Sequence, residues 1–198
     1  APLPREAGAG GLRVGLPREA FEEGLHPQVR AAVLAAARCM EASGAMVEWV
    51  DMPMLRYAVP AYYIIASAEA ASNLSRYDGL RYGHAARAAG LSLDEAIVQS
   101  RSEGFGREVK RRLMLGNFAL SAGYYDAYYN KALQAKDLLR AAFDTAFERF
   151  DVLLTPTAPT PAMPLGESLD DPLAMYLGDV HTVALPILAV LPVSLAVL

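Results

Sequence analysis

The chain has 198 residues, of which 54% are hydrophobic and 20% charged, and it carries a formal charge of −4. That is enough chain to bury a sizeable core in one ordinary domain, and the acidic balance argues against general binding to a phosphate backbone, which needs a basic face. Its one cysteine, Cys39, rules out an internal disulfide framework and a cysteine-built zinc site.

In chain order, the opening APLPREAGAGG lacks the apolar run of a secretory leader, so the expected compartment is the cytosol. LRVGLP at 12–17 has the pattern of a short strand ended by Pro17. Over 27–43, Val29, Val33, Ala36 and Met40 recur at three- and four-residue steps, the stripe of an amphipathic helix. Pro27 suits its first turn and Gly44 its C-terminal cap. Cys39 is expected on its apolar face as a small core residue. AMVEWVDM at 45–52 then alternates imperfectly, as a strand. Strand, helix and strand within about 40 residues make a βαβ unit with parallel strands. The expected fold class is therefore α/β, a mixed, largely parallel sheet flanked by helices.

Residues 60–75, opened by Pro60, read as a helix of small side chains, and RYDGLRYG at 76–83 as an ordered loop or broken helix. Ser92 and Glu95 fit the capping box S-x-x-E ahead of a helix from about 93 to 102. Gly104 and Gly106 interrupt it, and a second helix is expected from Arg107 to about Leu120. A long helix is expected over 121–149, with Leu133, Leu138, Leu139, Ala142, Phe143 and Phe147 on its apolar side. DVLLTPTAPTPAMP at 151–164 reads as a buried strand running into a rigid, proline-rich segment. TVALPILAVLPVSLAVL at 182–198 is almost wholly apolar but holds two prolines and is shorter than the ~20 residues that span a bilayer. An inner strand is expected there. This apolar end and the loose beginning are the marks expected of a fragment. No repeat or low-complexity linker divides the chain, which reads as one compact unit.

The chain holds no G-x-S-x-G elbow, no Walker loop and no G-x-G-x-x-G after a strand. His26, His84 and His181 are scattered without ligand spacing. His26 reads as an N-terminal helix residue and His84 as a surface loop side chain, and nothing marks one serine as an activated nucleophile. Tyr124, Tyr125, Tyr128 and Tyr129 follow the cluster Lys110, Arg111 and Arg112. They form two i, i+4 pairs on adjacent helix faces, a pattern of packing rings rather than of base stacking, since no basic groove is evident. Arg111 and Arg112 either capture a planar carboxylate or phosphate or stay solvated against Glu108, an exposed pairing worth about 0–1 kcal/mol. Asp179, in AMYLGDVHT, is either a loop aspartate or an anchor for a ligand ammonium.

Taken together, SRYDGLRYG at 75–83, SRSEGFGREVKRRLMLGNFALSAGYYDAYYNKA at 100–132, and FDVLLTPTAPTPAMPLGE with DPLAMYL resemble one family in order and spacing. It is that of the A subunits of aspartyl-tRNA(Asn)/glutamyl-tRNA(Gln) amidotransferases, a branch of the amidase signature family. The resemblance runs from about residue 11 to Val180. TPTAP occurs across amidases; its combination with RYDGLRYG and GYYDAYY marks this branch. The resemblance implies the C-terminal portion of the amidase signature fold, incomplete here. The family's Ser–cis-Ser–Lys triad lies on an N-terminal half that has no counterpart in these residues.

The same resemblance implies a glutamine-recognition role. Arg112 would hold the α-carboxylate, Asp179 the α-amino group, and a tyrosine of the AYY helix, Tyr62 or Tyr63, would complete the pocket. A zwitterion needs one planar cation and one anion to fix its amide over a nucleophile. Where the family carries an Asn-Leu-Ala-Gly-x-Pro word, this chain has HTVALPILAVLPVSLAVL, so 181–198 read as a divergent or truncated end. The implied activity is glutamine hydrolysis, releasing ammonia that the B and C subunits of a heterotrimer use to amidate mischarged Glu-tRNA(Gln) or Asp-tRNA(Asn). The chain itself would bind no cofactor, ATP and Mg being used by the complex, and would have no membrane partner. Its location would be the cytoplasm, or an organellar matrix in a eukaryote. The fragment alone is expected to be inactive. The alternatives are a stand-alone amidase-family hydrolase of another amide and a non-catalytic remnant.

Overall fold

The computed structural model describes residues 9–22, 24–87, 90–162 and 178–184. Its contacts group into two units, one of Ala1–Val59 with Ala135–Leu198 and one of Pro60–Gln134.

The first unit is built on a parallel sheet of order β2–β1–β3, formed by Arg13–Pro17 (β1), Met46–Val50 (β2) and Val152–Leu153 (β3). Arg13 lies opposite Met46, Pro17 opposite Val50, and Val14 opposite Val152. Central β1 is buried from Val14 to Pro17, as suits a strand covered on both faces. Gly15 is required there, because a Cβ would lie 2.6 Å from the Leu153 side chain and 2.9 Å from the Phe150 ring. Helix α1, Pro27–Ala42, links β1 to β2, the crossover that parallel neighbours require. The βαβ reading is thus the observed one. The Nδ1 of His26 caps α1, accepting from the Gln28 amide at 3.2 Å. Gly44 takes a φ of +96°, a left-handed exit from the helix.

Leu16, Ala20, Phe21 and Ala37 form a core cluster, with Leu25, Val33, Leu34, Val47 and Leu154 packed around it. Cys39, expected inside, is exposed. The inward face of α1 centres on Ala37, and two further residues at 3.6 per turn turn Cys39 to the opposite side.

The chain returns through α5, Lys131–Arg149, into β3. Ala132, Leu139, Phe143 and Ala146 are the buried stripe of α5, while Leu138 and Phe147, expected on the apolar side, are 57% and 43% exposed. Each stands one residue away from a member of the true stripe. The strand expected from 151 is only two residues long. The Leu154 amide still donates to the Gly15 carbonyl, but Pro156 has no N–H to continue the ladder. From there to Ala162 the chain is irregular, its Pro159 carbonyl accepting from the His26 amide at 2.8 Å. Residues 163–164 of that expected segment lie outside the described residues. Thr182–Ala184, expected to begin an inner strand, instead belong to a turn. Their Thr182 and Val183 amides donate to the Asp179 carbonyl at 3.0 and 3.1 Å. The remainder of the expected strand, 185–198, and the DPLAMYL word lie outside the described residues.

The second unit holds most of α2, Ala58–Leu74, and all of α3, Leu93–Gly104, and α4, Arg107–Leu120. The capping box is present: the Glu95 amide donates to Ser92 Oγ, and the Glu95 carboxylate accepts from the Ser92 amide at 2.9 Å. Helices α2 and α4 approach so closely that a Cβ on Gly116 would sit 2.0 Å from the Ser67 carbonyl oxygen and 2.8 Å from the Ala71 Cβ.

The continuous helix expected over 121–149 is broken. Ser121 is extended at ψ 155°, Gly123 is left-handed at φ +89°, and Tyr125–Asn130 form a π-helical turn before α5 begins. The two tyrosine pairs nevertheless form, Tyr124 with Tyr128 at 6.0 Å and Tyr125 with Tyr129 at 5.2 Å between centroids. Phe118 joins the first pair at 4.3 Å from Tyr124. The band closes the end of α4 as aromatic packing.

Candidate functional site

Helix α4 opens from an extended Gly106, and it sets Glu108 in its first turn. Glu108, Arg111 and Arg112 stand at i, i+3 and i+4, so all three side chains share one face. Arg112 Nε donates to Glu108 Oε1 at 2.9 Å, and Arg111 Nη2 donates to Glu108 Oε2. One carboxylate thus serves two guanidinium groups, and the trio keeps one net positive charge. The Arg112 side chain is 31% exposed, so the pairing is partly shielded from water.

From α2, the Tyr63 ring lies under this guanidinium, its centroid 5.5 Å from Arg112 Cζ. Tyr62 braces Tyr63 edge-on at 5.1 Å and 79°. The hydrogen bond that Arg112 donates to Glu108 raises the Arg112 pKa above its ordinary value, with burial opposing it and the charge of Glu108 and the two tyrosines, Tyr63 and Tyr62, adding to it. Arg112 spends only Nε on Glu108; with the described residues its Nη1 and Nη2 make no hydrogen bond. A fixed, flat pair of N–H donors on a cation is what a carboxylate accepts bidentately. Sequence reasoning left Tyr62 and Tyr63 equal, and the structure brings Tyr63 to Arg112.

Asp179 lies in the first unit. It is exposed, and its backbone carbonyl closes the 179–183 turn, also accepting from Thr182 Oγ1 at 3.1 Å. His181 on the same turn is half-buried, and that burial pushes its imidazole pKa down. His84 is a half-exposed loop residue as expected, its Nε2 2.7 Å from Glu103 Oε2. Among the described residues no group of three or more His, Cys, Asp or Glu is placed to hold a metal ion, and no helix is long and apolar enough to cross a membrane. Glu108 entered the sequence reading only as a surface partner. Its i, i+3, i+4 spacing to two arginines was the signal of its shared role.

The chain matches the amidase family, described as "Amidase", over residues 3–195. It is similar to the A subunit of the Lachnospira eligens glutamyl-tRNA(Gln) amidotransferase, 54% identical over 174 residues, which cover 88% of this chain and 36% of that one. The protein of the same name from Lachnoclostridium phytofermentans is 54% identical over 186 residues, 93% of this chain and 37% of that one. The crystal structure of the Thermotoga maritima glutamyl-tRNA(Gln) amidotransferase A subunit superposes with a TM-score of 0.64 at 34% identity, covering 91% of this chain and 34% of that one. A further amidase crystal structure, at TM-score 0.67 and 24% identity over 92% of this chain and 37% of that one, shares the fold. The chain therefore spans a little over a third of the length of these curated relatives. With parallel sheet, flanking helices and a match along nearly its whole length, the chain belongs to the amidase family.

Proposed function

We propose that this chain is the C-terminal portion of the glutamine-hydrolysing A subunit of a tRNA-dependent amidotransferase. The observation that carries the reading is 54% identity to relatives bearing that name, across about nine-tenths of the chain. The Arg112 arrangement supports it, since a glutaminase must hold a free amino acid by its charged ends. In this reading Arg112 presents Nη1 and Nη2 to the α-carboxylate, and Tyr63 packs beneath. Asp179 receives the α-ammonium. The nucleophile and its base come from residues outside this chain, so the chain alone releases no ammonia. The released ammonia is used by the partner B and C subunits, which handle ATP, Mg and the mischarged tRNA, in the cytoplasm.

The test is Arg112→Ala in the full-length protein, read as ammonia released from glutamine. Losing charge-assisted hydrogen bonds worth about 1.5–3 kcal/mol raises the glutamine KM at least about tenfold. An unchanged KM overturns the assignment.

A further inference from the structure

We infer that Glu108 is a positioning residue for substrate, which sets both the orientation and the net charge of the carboxylate-binding arginine. The inference rests on the assignment of Arg112 to the glutamine carboxylate. An arginine side chain has four rotatable bonds and no fixed direction of its own, so something must aim it. Here two contacts do so. Glu108 Oε1 accepts from Nε at 2.9 Å, which fixes the roll of the guanidinium plane. The Tyr63 ring, itself braced by Tyr62, supports the flat face. With Nε committed, the edge left to a ligand is Nη1–Nη2, two parallel donors suited to the two oxygens of one carboxylate.

The charge count points the same way. Arg111 and Arg112 without Glu108 would present two positive charges side by side; with it they present one. A single net charge matches a single carboxylate. Both Glu108 oxygens are used, one for each arginine, so the incoming carboxylate adds to the array without displacing either of these bonds. Glu108 also sits in the first turn of α4, where an acid favours the helix dipole in any protein. That bland role predicts a stability loss with no change in substrate affinity, which separates the two by experiment.

The experiment uses the full-length protein in its complex, with glutamine and, in parallel, ammonium chloride as nitrogen donor. Ammonia bypasses the glutamine site and reports whether the complex is intact. Glu108→Ala is expected to raise the glutamine KM about tenfold, the scale of one charge-assisted hydrogen bond, with kcat and the ammonia-supported rate held. Glu108→Gln keeps an oxygen for Nε but not the charge, and is expected to recover the affinity only in part. If Arg112→Lys raises the KM but Glu108→Ala does not, the positioning role is overturned while the Arg112 assignment stands. If Arg112→Lys leaves the KM unchanged, the assignment falls and the inference with it. Should Glu108→Ala lose the ammonia-supported rate through misfolding, Glu108→Asp decides. It keeps the acid at the helix start but retracts it, so a raised KM supports positioning and an unchanged one overturns it.

Discussion

Gly116→Ala sets two opposed effects against each other, and the structure decides which wins. Alanine is favoured over glycine inside a helix by about 1 kcal/mol, so on propensity alone the change would stabilise α4. Against this, the new Cβ would stand 2.0 Å from the Ser67 carbonyl oxygen and 2.6 Å from its carbonyl carbon. A carbon–oxygen contact needs about 3.3 Å, so α2 and α4 must part by about 1.3 Å. The obstacle is backbone, which no rotamer change can move aside. Overpacking of this kind costs about 1–3 kcal/mol or more, and a gap beyond 1 Å forfeits about half of each dispersion contact along the seam. The net expectation is a loss of about 1–2 kcal/mol. The same parting reaches the site. Arg112 is four residues before Gly116 and Tyr63 four before Ser67, so their contact lies one turn along the same seam. Moved from 5.5 Å to about 6.8 Å, the pair passes the ~6 Å limit of a cation–π contact. Denaturant unfolding of the full-length protein, together with its glutamine KM, tests both parts. A Gly116→Ala variant as stable as the parent with an unchanged KM would refute the reasoning.

Two further outcomes are expected. Asp151 receives Arg13 N at 2.8 Å, Nε at 3.2 Å and Nη2 at 2.8 Å, which hold its carboxyl down from 3.8 to about 2. A depressed carboxylate pKa contributes stability that is present above pH 3.8 and lost as pH falls toward 2; Asp151→Asn is therefore expected to flatten stability across that window in acid titration, and an unchanged profile would count against the clamp. Ser100, 4% exposed, accepts from the Ala86 amide at 2.9 Å and donates to the Ala96 carbonyl, so Ser100→Ala leaves an amide unsatisfied at a cost of about 1–3 kcal/mol. Hydrogen exchange should speed at Ala86, and unaltered exchange there would show that another group fixes the loop.

What the sequence made legible was whatever rests on local chemistry. Pro27 and Gly44 bracket α1, and Ser92 with Glu95 opens α3, because capping needs only neighbours in the chain. The parallel sheet followed from strand, helix and strand in succession. The errors came where one residue decides the phase. Leu138 and Phe147 are as apolar as Leu139 and Phe143, and composition cannot say which pair faces inward. Cys39 failed for the same reason. The break at 121–124 was signalled by Gly123, but the run of tyrosines that follows has helical spacing and masked it.

The choice between Tyr62 and Tyr63 shows what was missing for the site. Helix α2 carries small and apolar residues around its first three turns, and its polar trio, Glu69, Ser72 and Asn73, comes only near its end. No polar face therefore runs along its length to set the rotation at Tyr62 and Tyr63. Its rotation is fixed instead by the neighbour it touches. Ser67 and Ala71 are the two residues that crowd Gly116, and Tyr63, Ser67 and Ala71 follow one another at four-residue steps along one face. Tyr62 lies about 100° away from that face. A mid-helix glycine is itself a sequence signal of close approach, so Gly116 announced that some helix comes near. It could not announce which helix, or in what register. That register puts Tyr63 under Arg112, and with it turns two equal tyrosines into one ring that supports the arginine and one that braces the ring.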